Sequence, residues 1–435
     1  MMNTPICDFV QQYADSGTLR LHMPGHKGGE PLDITEIRGA DSLYDAAGII
    51  RESEENAGKL FGCHTFYATE GSSQCIRAML HLARQEGIRR GKKPVIAAGR
   101  NAHRAFLTAA AMLDLQISWL YSEETASYLS CPVTASQVEK VLAEENPFAV
   151  YLTSPDYLGN LADVEAIGQV CRKFGCLLLV DNAHGAYLRF LENSKHPMDL
   201  GADICCDSAH KTLPVLTGGA YLHIRKAALA DQAKNALAMY GSTSPSYLIL
   251  QSLDRVNPAL EGWKTPLKNF LDKLASCQKR LEKAGYAFLG DEPMKWTVDA
   301  KAYGYTGDEL ADCLRRAEIE CEFSDPDYLV LMPAPGMPAE ALNRLEQALL
   351  SIPKKEEIGT KPPALACCEQ VMTVRQAMLA PAQTVPVEES LGRILASPCV
   401  GCPPAVPIVI CGQKINEAAI AAFRYYGITQ LTVTE

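Results

Sequence analysis

Short apolar runs alternate with helical patterns through the first half of the chain. Pro94–Gly99 (PVIAAG), Ile117–Ser122 (ISWLYS), Phe148–Ser154 (FAVYLTS), Cys176–Asp181 (CLLLVD) and Ala220–Ile224 (AYLHI) read as strands. Between two of them, Glu165–Phe174 sets Ile167, Val170, Cys171 and Phe174 on one helical face, and Gly175 follows as a stop. The strands are continuously apolar, which burial on two faces requires, so the pattern predicts an α/β fold with a mostly parallel sheet covered by helices. The second half changes character. Charged helical patterns at Leu267–Ala284 and Ala339–Ser351 (Leu342, Leu345 and Leu349 on one face) mix with short strands such as Tyr328–Met332, as in a smaller α+β domain. Pro353–Pro363 (PKKEEIGTKPP), charged and flanked by proline, reads as a linker. The expected organisation is therefore a large domain over 1–255, a small domain over 256–352, a linker over 353–368 and a C-terminal domain over 369–435.

Composition narrows the function classes. Of 435 residues, 47% are apolar and 21% charged, which excludes a long disordered chain. Lys+Arg 41 against Asp+Glu 51 leaves a net charge of −10, so there is no general field for nucleic acid or anionic lipid, and any phosphate site must be local. The 16 cysteines are dilute in a chain of this length. The first residues carry Asp8 and Asp15 but no basic and apolar leader, so reduced thiols and a cytoplasmic location are expected. The charge-free stretch Ile394–Gln413 is broken by Pro398, Pro403, Pro404 and Pro407, which argues against a membrane helix.

Chemistry concentrates in a few places. Asp207-Ser208-Ala209-His210-Lys211-Thr212-Leu213 precedes the glycine-rich return Leu216–Ala220 and a strand. A lysine in that apolar, hydroxyl-flanked setting either loses part of its ammonium preference and forms Schiff bases, or is a loop lysine paired with a carboxylate. Asp181-Asn182-Ala183-His184 stands at the carboxyl end of a strand, where open α/β sheets bind ligands, although many strands simply end in a polar residue. Glu70-Gly71-Ser72-Ser73-Gln74 opens a helical pattern, as a phosphate cradle or as ordinary capping by Ser72 or Ser73. His103 follows the strand PVIAAG, a position that is usually structural. Cys399-Val400-Gly401-Cys402 lacks the further ligands a zinc site needs, so no metal is expected, and Cys205-Cys206 reads as a buried strand pair.

Together these pieces resemble the pyridoxal-phosphate (PLP) ornithine/lysine/arginine decarboxylases of the aspartate-aminotransferase fold (fold type I). The resemblance runs through Leu21–Gly29 (LHMPGHKGG), Asp33–Glu36, Asp41–Tyr44, Phe61-Gly62, Gly71–Ser73, Arg100–His103, Thr153–Gly159 (TSPDYLG), Asp181–Ala186, Ser208–Leu213 (SAHKTL) and Ser242–Asp254. It implies that Lys211 carries PLP, that Asp181 pairs with the pyridine nitrogen, and that His103 stacks on the ring. It also implies that Ser72, Ser73, Ser208 and His210 hold the phosphate while His184 lines the pocket. Thr243 or Ser244 would reach the phosphate of a partner subunit, which makes the expected assembly a homodimer with shared active sites, or a higher oligomer of such dimers. The implied activity is decarboxylation of lysine, arginine or ornithine for polyamine synthesis, in a short form without the N-terminal wing domain of the larger members.

Three positions depart from the family pattern: Gly218 stands where Gln is usual, Ala396-Ser397 where an Ala-Glu pair is usual, and Cys411-Gly412-Gln413 where Pro-Gly-Glu is usual. The lost acidic groups bear on recognition of a cationic side chain. They leave room for another PLP-dependent activity, such as an aminotransferase or lyase, or for a PLP-fold protein without turnover.

Overall fold

The computed structural model describes residues 2–122, 127–365, 367–398, 401 and 405–435. The chain forms two compact units from interleaved stretches: Met1–Val95, Val138–Leu152 and Asp163–Leu267 in one, Ile96–Gln137, Thr153–Ala162 and Lys268–Glu435 in the other.

In the first unit, His64–Ala68, Ala220–Ile224, Ile204–Asp207, Leu177–Asp181 and Ala149–Thr153 lie side by side in that order. Leu177–Asp181 runs parallel to Ile204–Asp207 with Asp181 opposite Cys206, so the carboxyl ends of two strands meet. Every residue of Leu177–Asp181, Ile204–Asp207 and Ala220–Ile224 is buried, which explains their unbroken apolar character. Ala220–Ile224 is antiparallel to both of its neighbours. The chain leaves Asp207, makes the single helical turn Ala209–Thr212 and doubles back, a reversal too tight for the crossover that a parallel neighbour needs. His64–Ala68 is a strand that its short, weakly alternating sequence does not announce; tertiary pairing with Ala220–Ile224 makes it one. The predicted helix over 165–174 appears as Val164–Lys173, with the Asp163 side chain accepting from Ala166 N at its start.

In the second unit, Val95–Gly99 and Gln116–Leu120 are neighbours. Phe323–Ser324, Tyr328–Leu331, Trp296–Asp299 and Phe288–Leu289 form an antiparallel sheet. Its core joins Leu274, Trp296, Leu310, Leu331 and Leu349, drawn from the two predicted charged helices as well as the strands. The described residues of the segment 353–368 lack helix and strand, but the segment is fastened: Lys355 N and Ile358 N donate to Tyr303 O and Lys301 O. The last element pair, Ala382–Pro386 with Gln430–Thr434, packs with the helix Glu417–Tyr425 around Val385, Leu395, Ile415, Phe423 and Val433.

Candidate active site

The paired strand ends of the first unit carry the chemistry. Asp181, the last residue of Leu177–Asp181, is 2% exposed. Its Oδ2 accepts from the Tyr151 hydroxyl at 3.0 Å, and its Oδ1 accepts from Ala183 N at 3.2 Å and the Cys206 thiol at 3.7 Å. Burial pushes this carboxyl above the usual carboxylate range, while the Tyr151 hydroxyl and the Lys211 charge pull it back. The following turn, closed by Gly185 N on Asn182 O, presents His184 to the next strand end. There His184 Nε2 lies 3.0 Å from Lys211 Nζ. Lys211 is partly buried, its amine meets the His184 imidazole, and its charge is felt by the Asp181 carboxyl.

The hydroxyl side of the site lies at the helix Gly71–Arg89. Ser72 and Ser73 stand inside its first turn rather than ahead of it, and the N-cap Glu70 makes no side-chain cap bond. Ordinary capping therefore does not account for these serines. Ser208 Oγ donates to Ser72 Oγ at 2.8 Å, which places hydroxyls from two strand–helix turns together at a helix N-terminus, an arrangement suited to phosphate. His210 is anchored through Nδ1 on Gly219 O at 3.0 Å. Gly71 N donates to Gly218 O at 2.7 Å, and Gly218 adopts φ +99°. A Cβ there would meet Thr69 O at 2.7 Å, so glycine rather than the family's usual glutamine suits this backbone. Thr243 and Ser244 are exposed, just beyond Ser242, whose N–H donates to Glu70 Oε1. His103, in the second unit, caps the helix Arg104–Met112 by accepting from Ala105 N through Nδ1. Cys399, Val400 and Cys402 lie outside the described residues; Cys205 and Cys206 are the buried strand pair expected of them.

Two groups escaped the sequence reading. Tyr151 is hidden in a mostly apolar strand, where its hydroxyl gave no local sign of a partner. The other is a buried cluster of His196, Asp207 and His223, whose possible ligand atoms lie within 4.8 Å of one another. His196 Nε2 and His223 Nε2 reach the same Asp207 Oδ2 at 3.0 and 3.1 Å. His196 Nδ1 accepts from Met198 N at 3.3 Å, so its proton sits on Nε2, which then has no lone pair to offer a metal. The cluster is held by hydrogen bonds.

The residues fit PLP. An amine, a deeply buried carboxylate and a two-serine cradle at an uncapped nineteen-residue helix match the aldehyde, pyridine nitrogen and phosphate of that cofactor. The class defined by this fold and site is the type I PLP-dependent enzyme. The lysine decarboxylase of Francisella novicida superposes with a TM-score of 0.83 over 100% of this chain and 81% of its own, at 17% identity. The family model "Orn/Lys/Arg decarboxylase, major domain" matches residues 4–341. The arginine decarboxylase of Bacillus subtilis (strain 168) is 28% identical over 96% of this chain and 92% of its own length. That of Halalkalibacterium halodurans is also 28% identical, over 97% and 93%. The chain belongs to the Orn/Lys/Arg decarboxylase family and is a PLP-dependent amino-acid decarboxylase. No helix among the described residues is long and apolar enough to cross a membrane.

Proposed function

We propose that the chain removes the α-carboxylate of a basic amino acid, arginine first and lysine or ornithine next, giving an amine for polyamine synthesis in the cytoplasm. The observation that carries this reading is the approach of Lys211 to His184 beside a buried Asp181; the arginine decarboxylases among its relatives rank the substrates. PLP, when bound, supplies the sink for the electron pair released as a bond to Cα breaks. Lys211 binds the cofactor through its amine. His184 orients that amine and accepts or returns its proton. Asp181, held by Tyr151 and Ala183 N, would pair with the pyridine nitrogen and favour its protonated form. Ser72, Ser73, Ser208 and His210 would hold the phosphate with the first-turn N–H groups, and the family resemblance would give His103 the ring. With its amine free, Lys211 would be placed to hand a proton to the substrate Cα. In a homodimer, Thr243 or Ser244 reaches the phosphate site of the partner subunit.

The test is an amino-acid panel incubated with PLP-loaded enzyme and scored for CO₂ and amine. Arginine, lysine or ornithine should give one equivalent of each. Keto-acid formation without CO₂, or no turnover of any of the three, overturns the reading.

A further inference from the structure

We propose that Asp207, clamped between His196 and His223, is a positioning residue that locks the Asp181–His184 turn to the Ser208–Lys211 turn. This rests on the reading of Lys211 as the PLP-bearing residue. Asp207 ends its strand immediately before Ser208 and is fully buried. One carboxylate oxygen, Oδ2, takes the Nε2 atoms of His196 and His223 at 3.0 and 3.1 Å. The other, Oδ1, accepts from Asn182 Nδ2 at 2.7 Å and from the Cys205 thiol at 3.6 Å. Asn182 lies between Asp181 and His184, and its own N–H donates to Cys206 O at 2.9 Å. A single carboxylate thus ties the strand end bearing Asp181 to the strand end leading to Ser208, His210 and Lys211.

The surroundings leave this arrangement little slack. A Cβ at Gly185 would meet Asn182 Oδ1 at 2.0 Å, so the turn closes directly over the asparagine amide. His196 accepts from Met198 N and starts the short helix Pro197–Leu200, which fixes its ring. His223 is gripped on its far side by Thr65 Oγ1 at 3.0 Å and Cys63 Sγ at 3.7 Å. Burial alone would lower the His223 pKa, but Asp207 and Cys63 raise it to about 9; the imidazoles in turn hold Asp207 well below the usual carboxylate range despite its burial. A charged carboxylate with its donors arrayed on both oxygens is a rigid fixture. The hydrogen bond from Asn182 to Asp207 is the route by which these three side chains act on the two turns.

Asparagine at 207 is the informative change, because it offers one acceptor oxygen where donors converge from two sides. Wild type, D207N, H196A, H196Q and D254N are compared by circular dichroism, melting of the PLP-free form, PLP titration by visible absorbance across pH, and borohydride labelling of Lys211. D254N is the structural control: Asp254 is a buried carboxylate bound to Ile6 N, Cys7 N and Ser53 Oγ, in a separate network. Folded D207N should bind PLP about ten- to a hundredfold more weakly, the loss expected when buried donors go unpaired. The pH at which the absorbance of Lys211-bound PLP changes should also move. H196A should shift both in the same direction, and H196Q, whose amide can donate to Asp207, should recover most of the affinity. D254N should lower the melting temperature and leave PLP affinity unchanged. Wild-type affinity and pH profile in folded D207N, or an equal loss in D254N, overturns the proposal; if D207N does not fold, H196A matching wild type overturns it. A wild type that takes up no PLP at Lys211 overturns the functional reading and this inference together, whereas uptake by wild type matched by D207N overturns this inference alone.

Discussion

Lys211 and Asp181 are the residues on which the assignment turns. Lys211 Nζ lies 3.0 Å from His184 Nε2, within hydrogen-bond reach of the imidazole. Reduction of PLP-loaded protein with borohydride should fix the cofactor on the peptide containing Lys211 and on no other lysine, read by mass spectrometry. Lys211→Ala should fold with a melting temperature near wild type, since its side chain is only partly buried and is not among the buried apolar core residues. Asp181→Asn should cost rate far more than cofactor retention. An amide cannot hold a pyridinium, so a drop in kcat of about a hundredfold or more is expected, with PLP affinity within about tenfold of wild type because the serine cradle is untouched. Near-normal turnover in that variant would remove Asp181 from its role.

Among elements, the turn after Lys211 carries the strain and the second unit carries an acid out of its usual range. Gly218 sits at φ +99° with its carbonyl on Gly71 N, and a Cβ would press on Thr69 O. Gly218→Ala should destabilise the protein by about 1–3 kcal/mol and loosen the N-terminus of the helix Gly71–Arg89, seen as a lower melting temperature of the PLP-free form. In the second unit, burial and the neighbouring Asp327 push Asp325 up to about 7, even though its Oδ1 accepts from Asp327 N and Tyr328 N at 2.7 Å each. The folded state then holds a proton that the unfolded chain releases near pH 4. Stability at this residue is therefore highest below pH 4 and falls as pH rises toward 7. Asp325→Asn keeps the acceptor oxygen and removes the titration. It should flatten the melting temperature between pH 4 and 7 and raise it above pH 7; an unchanged slope would exclude Asp325 as its source.

At the scale of the molecule, the C-terminal stretch holds two of the departures from the family pattern, and their effect on substrate choice is a matter for test. Ala405–Cys411 is buried, and within the second unit it is stitched to the loop carrying His103: Arg104 N donates to Ala405 O at 2.9 Å, and Arg100 Nη2 to Ile408 O. Gln413, one of the departures from the family, is 3% exposed and consumed by its own turn. Its Oε1 accepts from Ile410 N at 3.0 Å and its Nε2 donates to Tyr121 OH at 3.4 Å. That leaves Ser397 as the more accessible of the two lost acids. Ser397→Glu should raise kcat/KM for a cationic amino acid by about ten- to a hundredfold, the worth of one added ionic contact, with PLP affinity unchanged. Strong wild-type activity unmoved by the substitution would mean that another residue reads the side chain.

Much of this was legible in the chain itself. Continuous apolar runs, one of them ending in Asp181, announced buried strands, because a strand buried on both faces must be apolar; the Ser-Ala-His-Lys-Thr segment singled out the lysine that the structure sets beside His184. Periodicity found the helix Val164–Lys173 to within a residue at each end. What tertiary structure alone decided were relations that no local pattern encodes. Strand register set Asp181 opposite Cys206 and so turned residues far apart in sequence into neighbours. His64–Ala68 became a strand only through its partner, and Ala220–Ile224 ran antiparallel because the turn at Lys211 was short. Likewise His196, Asp207 and His223, scattered and individually unremarkable, acquire meaning only when burial forces their polar atoms to satisfy one another.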